Sequence, residues 1–501
     1  MTNPLTPEPQ KAAFGAALVV NSTPRVQIQA VHGLTSQVET FSALGGTATT
    51  ETGEFKVSTG TTIGGFATVL SSRGLRYKPG QGAENKFTCR FTTPAANSLQ
   101  QSGMINIGNR LVYGYNGLTF GSFHVHGGYA ELRLLTVTVA STGATNATVT
   151  VDGVIFTVPL TASGVINTTA AELAESLDSQ DPLNSYTANQ AAIYVRFGIV
   201  GPKAGVFAFT HATAAAGWTT IKTGVTPTTD FTAQTDWNID KMDGTGPSGL
   251  ILGAGAGGDF DPLAGGFIGR IPFQYLGYGC IQYEIGDPTQ ISKFWPAHVV
   301  QWLKDGNTGP NLSDPGFRTG WVASSQGSTT DLTVRGASAE LANQGEYVIL
   351  EESRSESTEI LAAASGVEHH LLTIRNRTHF GGVSNGSEIL AILAKFGTES
   401  SKGTTFRIYK NVGTWSTNLI YNFVDEAGSI AELSTTTATL SALGGGRLVD
   451  TGIKLSVGEG EINLELLRTV VNQSETISIT GEISSGAAKD LNGSMTWKWR
   501  A

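Results

Sequence analysis

The sequence predicts a mainly β protein. The expected architecture is a large jelly-roll or concanavalin-like sandwich carrying a small α+β insert, followed by a C-terminal jelly-roll-like β-sandwich. Three observations lead there. Short runs rich in Val, Ile, Thr, Phe and Tyr alternate with Gly, Asn, Asp and Ser along most of the chain, which is the pattern of strands bounded by turns. Gly supplies 63 of 501 residues, well above the ~7% of an average protein, so turns are plentiful. Helix signals are confined to one stretch, which argues against alternating βα units and a parallel sheet.

At roughly 100–200 residues per domain, the length allows two to four domains, each with its own core. Residues 1–28 are rich in Pro, Thr and Ala with little periodicity, and are expected to form an N-terminal attachment arm. Residues 29–349 are expected to form the large sandwich, with strands near 86–91, 117–126 and 269–285. An insert is placed at 134–232, opening near a strand at 130–139. Within it, alternating apolar residues flank Asp152-Gly153, a dipeptide suited to a type I′ hairpin turn. Thr169-Ala-Ala-Glu172 has the spacing of a capping box and predicts a short helix to about Leu177. Residues 350–366 carry Glu351, Glu352, Glu356 and Glu359, and are read as an acidic linker with a solvated face. Residues 367–501 are expected to form the second sandwich, with strands near 404–410 and 475–480. Trp497 and Trp499 share one face of the last strand and are expected to close a core or a subunit interface.

Composition narrows the function. Charged residues make up 15% of the chain, against a typical ~25%. With 32 Lys and Arg against 41 Asp and Glu, the net charge is −9. An acidic chain with no basic cluster is a poor nucleic-acid binder. No apolar run approaches the ~18 residues of a membrane span, so no membrane insertion is expected. The N-terminus lacks the basic and apolar regions of a signal peptide. Two cysteines, Cys89 and Cys280, cannot make a disulfide framework, and both are read as small buried thiols.

Candidate chemistry is sparse. His124 and His126 lie two apart on a strand, so their imidazoles share one face and can share a metal. In a trimer, three such pairs about an axis would supply six nitrogens. Asp236, Asn238 and Asp240 have the 1-3-5 spacing of a calcium loop, but the Gly and Glu required later in that loop are replaced by Lys241 and Pro247. Both sets are read as structural, and no metal or cofactor is expected. The Gly-rich stretch at 253–259 has no helix behind it to bind phosphate. Glu284 and Asp287 are the nearest approach to a glycosidase carboxylate pair, yet they fall on opposite strand faces. No nucleophile, P-loop or zinc-protease motif is present. The chain is therefore expected not to be an enzyme.

Several segments in order carry a resemblance. They are Leu75-Arg-Tyr-Lys-Pro-Gly-Gln-Gly82, Phe87-Thr-Cys-Arg-Phe91, Tyr113-Gly-Tyr-Asn-Gly117 and Gly127-Gly-Tyr-Ala-Glu131. Further on come Asp236-Trp-Asn-Ile-Asp240, Asp243-Gly-Thr-Gly-Pro-Ser-Gly249, Phe273-Gln-Tyr-Leu-Gly-Tyr-Gly279 and Leu372-Thr-Ile-Arg-Asn-Arg377. In this order they resemble virion structural proteins of tailed phages and large DNA viruses of aquatic hosts. The resemblance implies a fibre, spike or decoration component, assembled in the host cytoplasm among other virion proteins, and carries over no catalytic residue. The expected role is host adsorption by a trimeric tail-fibre or head-fibre subunit through multivalent binding to a host surface glycan. The alternatives are a capsid decoration or minor capsid protein, and a carbohydrate-binding protein outside any virus.

Overall fold

A computed structural model describes residues 22–500, apart from 76–81, 107, 182–183, 254–257, 275–276, 291–292, 345–352, 378, 381–382, 385–387, 402, 413, 425–428, 444–445, 451–453, 456, 465–468 and 473. The chain is mainly β, and the ladders between strands among the described residues are antiparallel. It divides into two compact units: residues 1–128 with 226–348, and residues 129–225 with 349–501.

The first unit is a sandwich of a nine-stranded and a seven-stranded sheet. In the larger sheet, Ala83–Phe91 lies centrally, beside Phe267–Phe273 on one side and Ser338–Gln344 or Thr333–Gly336 on the other. The smaller sheet runs Thr228–Ala233, Thr119–His126, Arg110–Asn116, Leu99–Ile105, Arg318–Ser324, Phe66–Ser71 and Val38–Ala43. Period-2 alternation sends Phe87, Cys89 and Phe91 inward from the first sheet, to meet Leu111, Tyr113, Tyr115 and Trp321 from the second. Tyr113 anchors this core, with edge-on contacts to Trp237, Phe267 and Tyr283.

The second unit contains another sandwich. Its five-stranded sheet includes Ser353–Ala363, Lys489–Arg500, Glu388–Thr398 and Gly458–Asn463 in that order. A seven-stranded sheet built on Glu368–Asn376, Thr476–Ile483 and Thr404–Lys410 faces it. Trp497, Met495 and Phe396 from one sheet pack with Ile374, Ile479 and Phe406 from the other. The same unit holds the insert: a four-stranded sheet, a three-stranded sheet and the helix Ile166–Gln180 around a core of its own. Asn146–Val151 and Val154–Pro159 form the expected hairpin. Asp152 at φ 49° and Gly153 at φ 85° make the left-handed turn.

Several expectations need correction. Residues 1–21 of the expected arm lie outside the described residues, but Ser22–Gln29 is a strand paired with Ser338–Gln344, because Val26 and Ile28 point into the core. The expected acidic linker contains the strand Ser353–Ala363. There, alternation leaves Ser353, Ser355, Ser357 and Glu359 outward, while pairing to Lys489–Arg500 satisfies the backbone. The helix begins at Ile166, not after a Thr169 cap. Thr169 sits inside it and donates back to the Val165 carbonyl at 3.1 Å, while Glu172 accepts from Thr161. The insert ends before its expected limit, since Thr228–Ala233 belongs to the seven-stranded sheet of the first unit. Cys280 is exposed, because it closes the turn before Ile281–Gly286 and does not sit in the strand.

Candidate functional site

Thr119–His126 places Phe120, Ser122, His124 and His126 on its inner face, while Phe123 and Val125 point to the opposite face and are buried in a second apolar cluster with Val112 and Val322. The neighbouring Thr228–Ala233 is in a register that sets Asp230 directly opposite His124. The two imidazoles lie 4.6 Å apart between ring centres. His126 Nε2 is 3.0 Å from Asp230 Oδ2, and His124 Nδ1 is 4.0 Å from the same oxygen. Trp302 stands edge-on to both rings, at 5.3 and 4.8 Å.

The two histidines differ in setting. His124 is only 3% exposed. Burial, aided by the neighbouring His126, pushes its pKa down to about 4, so it is neutral at ordinary pH. Its Nε2–H donates to the Asn311 carbonyl at 2.8 Å, which leaves Nδ1 as a bare lone pair. Among the described residues, no hydrogen bond reaches that Nδ1. His126 lies nearer the surface, beside the exposed carboxylate of Asp230. The burial of His124 within its own sandwich also rules out the three-fold-axis arrangement, in which the imidazoles must face other copies.

The other expected sites are structural in geometry. Asn238 exchanges two hydrogen bonds with the Val299 backbone, at 2.8 and 3.0 Å. Asp240 is buried and accepts from the Met242 and Ser248 amides, at 2.8 and 2.7 Å. Asp236 ends a short 3-10 turn. Two of the three calcium-loop oxygens are thus committed to holding loops. The Gly-rich stretch lies largely outside the described residues. Glu284 is buried beside Arg270, at 3.0 Å, and Arg270 also bonds Glu84. Burial pushes the Glu284 carboxyl up against the pull of Arg270. Asp287 caps its own turn through Thr289 and accepts from Trp295 Nε1 at 3.0 Å. Neither carboxylate is presented as half of a glycosidase pair.

A second feature lies on the outer face of the five-stranded sheet. Strand register lines up Ser357, Ser494, Lys395 and Glu461 in one row, and Glu359, Asn492, Gly397 and Glu459 in the next. All of these except Gly397 line a groove of about 760 Å³. A Cβ on Gly397 would meet the Asn492 side-chain oxygen at 2.2 Å, so the missing side chain lets that amide lie across the sheet.

Sequence reading found His124 and His126 but missed Asp230, which joins them only through non-local strand pairing. The groove was also missed. Its residues come from four strands, and each looks like an ordinary solvated position.

No family model matches the chain, and no curated protein matches it. Among solved structures, it is similar to the carbohydrate recognition domain of Emp47p, at 8% identity and a TM-score of 0.24, over 62% of this chain and 90% of that one. It is also similar to lectin II from Ulex europaeus, at 10% identity and a TM-score of 0.20, over 64% of this chain and 100% of that one. The Faustovirus major capsid protein aligns over 96% of this chain and 92% of its own, at 9% identity and a TM-score of 0.08.

Proposed function

We propose that the chain is a non-enzymatic structural protein of a virus particle that acts by binding a host surface glycan, the groove on the outer sheet face of its second unit being the binding face. The observation that carries the binding is the chemistry of that groove. Hydroxyls of Ser357 and Ser494, the Asn492 amide, the Lys395 ammonium and the carboxylates of Glu359, Glu459 and Glu461 stand in two rows on one sheet face. Sugar hydroxyls need both donors and acceptors, and this face supplies both. Its polar rows, fixed by strand register, limit the ordering cost of binding. A face of this kind binds weakly once, so useful retention requires several copies on one particle. The virion setting rests on the order of sequence segments described above, together with a low charge density that lets flat surfaces meet with few ions to desolvate.

The test is retention of the full chain on host cells and on polysaccharides extracted from them. Binding that falls about tenfold or more in Asn492→Ala with Ser494→Ala, a loss of about 1.4 kcal/mol, supports the reading. Binding unchanged by those substitutions removes the groove. Binding to bare capsid shells without binding to cells would replace adsorption with a decoration role.

A further inference from the structure

We propose that His124, His126 and Asp230 bind a divalent transition-metal ion of the zinc class, leaving at least one coordination position for water or an outside ligand.

One ring nitrogen from each histidine and one carboxylate oxygen lie within 4.8 Å of one another. A tetrahedral zinc site has ligand bonds of about 2.0–2.1 Å, which sets its ligand atoms roughly 3.3–3.5 Å apart. The 3.0 Å separation of His126 from Asp230 must open slightly, and the 4.0 Å separation of His124 must close. Asp230 is more than half exposed, so its carboxylate can make that adjustment without disturbing the core.

The buried histidine supplies an independent reason. A hydrogen bond between Asp230 and His126 explains those two side chains without any ion. It leaves His124 Nδ1 unexplained, as a buried acceptor that no donor among the described residues meets. Such an atom is costly to leave unpaired. The Asn311 carbonyl fixes the tautomer by taking the Nε2 proton, so the lone pair on Nδ1 is held toward Asp230. A backbone carbonyl behind one ring nitrogen is the usual support for a metal-ligating histidine, because it orients the ring and raises its basicity. Trp302 closes one side of both rings and restricts their rotation.

The donor set selects the ion. Two imidazoles and one carboxylate with an open position suit zinc, and the same set also suits other first-row divalent ions such as Fe²⁺, Ni²⁺ and Cu²⁺. Calcium asks for six to eight oxygens, and here there is one carboxylate. Three protein donors leave a four-coordinate ion one position short. The exposed carboxylate sets this site at the surface, where solvent or an outside ligand can reach that position.

The test uses the full, tag-free chain after dialysis against a chelator. It is titrated with Co²⁺, read by visible absorption and by tryptophan quenching, and then with Zn²⁺ in competition. One ion per chain is expected. Asp230→Asn and His126→Ala should each weaken binding by more than the about 10–100-fold that loss of a partner behind a metal ligand costs, while retaining the circular dichroism and thermal transition of the parent. Trp302→Phe should bind Co²⁺ with much of the quenching lost. Absence of binding by Co²⁺, Zn²⁺ and Ni²⁺ overturns the proposal. So does binding with undiminished affinity in both ligand variants, which would place the ion elsewhere.

Discussion

His370 shows how a single residue in this fold couples to pH. Its Nδ1–H donates to the Thr436 carbonyl at 2.7 Å, so Nε2 is the acceptor and takes the Thr373 hydroxyl at 2.8 Å. Thr373 in turn shares a hydrogen bond with Ser478 at 2.7 Å. Burial pushes the His370 pKa down to about 4, against ~6.5 for an exposed histidine. Between those two values the unfolded chain takes up a proton that the folded chain refuses. Stability therefore rises with pH across that window and is lost as pH falls from 6.5 toward 4. The contribution is on the order of 2–3 kcal/mol. Denaturant unfolding of the parent at pH 7 and pH 4.5 should show this loss, and His370→Gln should show a shallower dependence. Equal slopes would sink the assignment, whatever the starting stability of the variant.

At the scale of the element, the insert hairpin depends on its turn. Gly153 has a positive φ, and a Cβ there meets nothing within 4 Å. Any cost of Gly153→Ala is thus backbone strain alone, about 1–2 kcal/mol. Gly217, in the strand Ala215–Lys222, also has open space around it but no positive φ. Gly217→Ala should be neutral or slightly stabilising, since it only removes freedom from the unfolded chain. Hydrogen exchange over 146–159 is the measure. Faster exchange in the Gly153 variant and not in the Gly217 variant is expected, and equal behaviour would remove turn strain as the cause. The same alternation that makes this hairpin also makes Ser353–Ala363 a strand, with Ser353, Ser355, Ser357 and Glu359 turned outward.

At the scale of the whole molecule, residues 129–225 group with residues 349–501, not with the chain on either side of them. One charged pair accounts for part of that association. Arg375 Nε bonds Glu432 at 2.7 Å, and its Nη2 donates to the Ala188 carbonyl at 2.7 Å. The guanidinium also lies 3.6 Å over Tyr421. Glu432 accepts from Asn189 Nδ2 at 3.1 Å. Arg375→Ala leaves the buried Glu432 carboxylate without its charge partner and removes a donor from the Ala188 carbonyl, at a cost of about 3–5 kcal/mol. Asn189→Ala removes one neutral donor and should cost about 1 kcal/mol. Amide exchange in Ser185–Asn189 and Ala192–Val200 should accelerate strongly in the first variant and weakly in the second, while the sandwich around Trp497 stays protected. Uniform acceleration throughout the unit would mean that the pair supports the sandwich itself and not the docking of the insert.

The sequence by itself determined the β class, the hairpin at Asp152-Gly153, the helix of the insert, the inward face of Phe87, Cys89 and Phe91, and the common face of His124 and His126. Each of these is written in local periodicity or turn chemistry, at separations of a few residues. Tertiary structure alone decided the rest. Asp230 reaches His124 across a strand pairing that spans more than a hundred residues of chain, and no local pattern records that register. His124 Nδ1 is bare because the Asn311 carbonyl takes the opposite proton, again from a remote segment. The acidic stretch at 351–359 reads as a linker because an outer strand face and a solvated loop have the same composition. Only the partner strand Lys489–Arg500 distinguishes them, by supplying backbone hydrogen bonds and a buried side on which to pack.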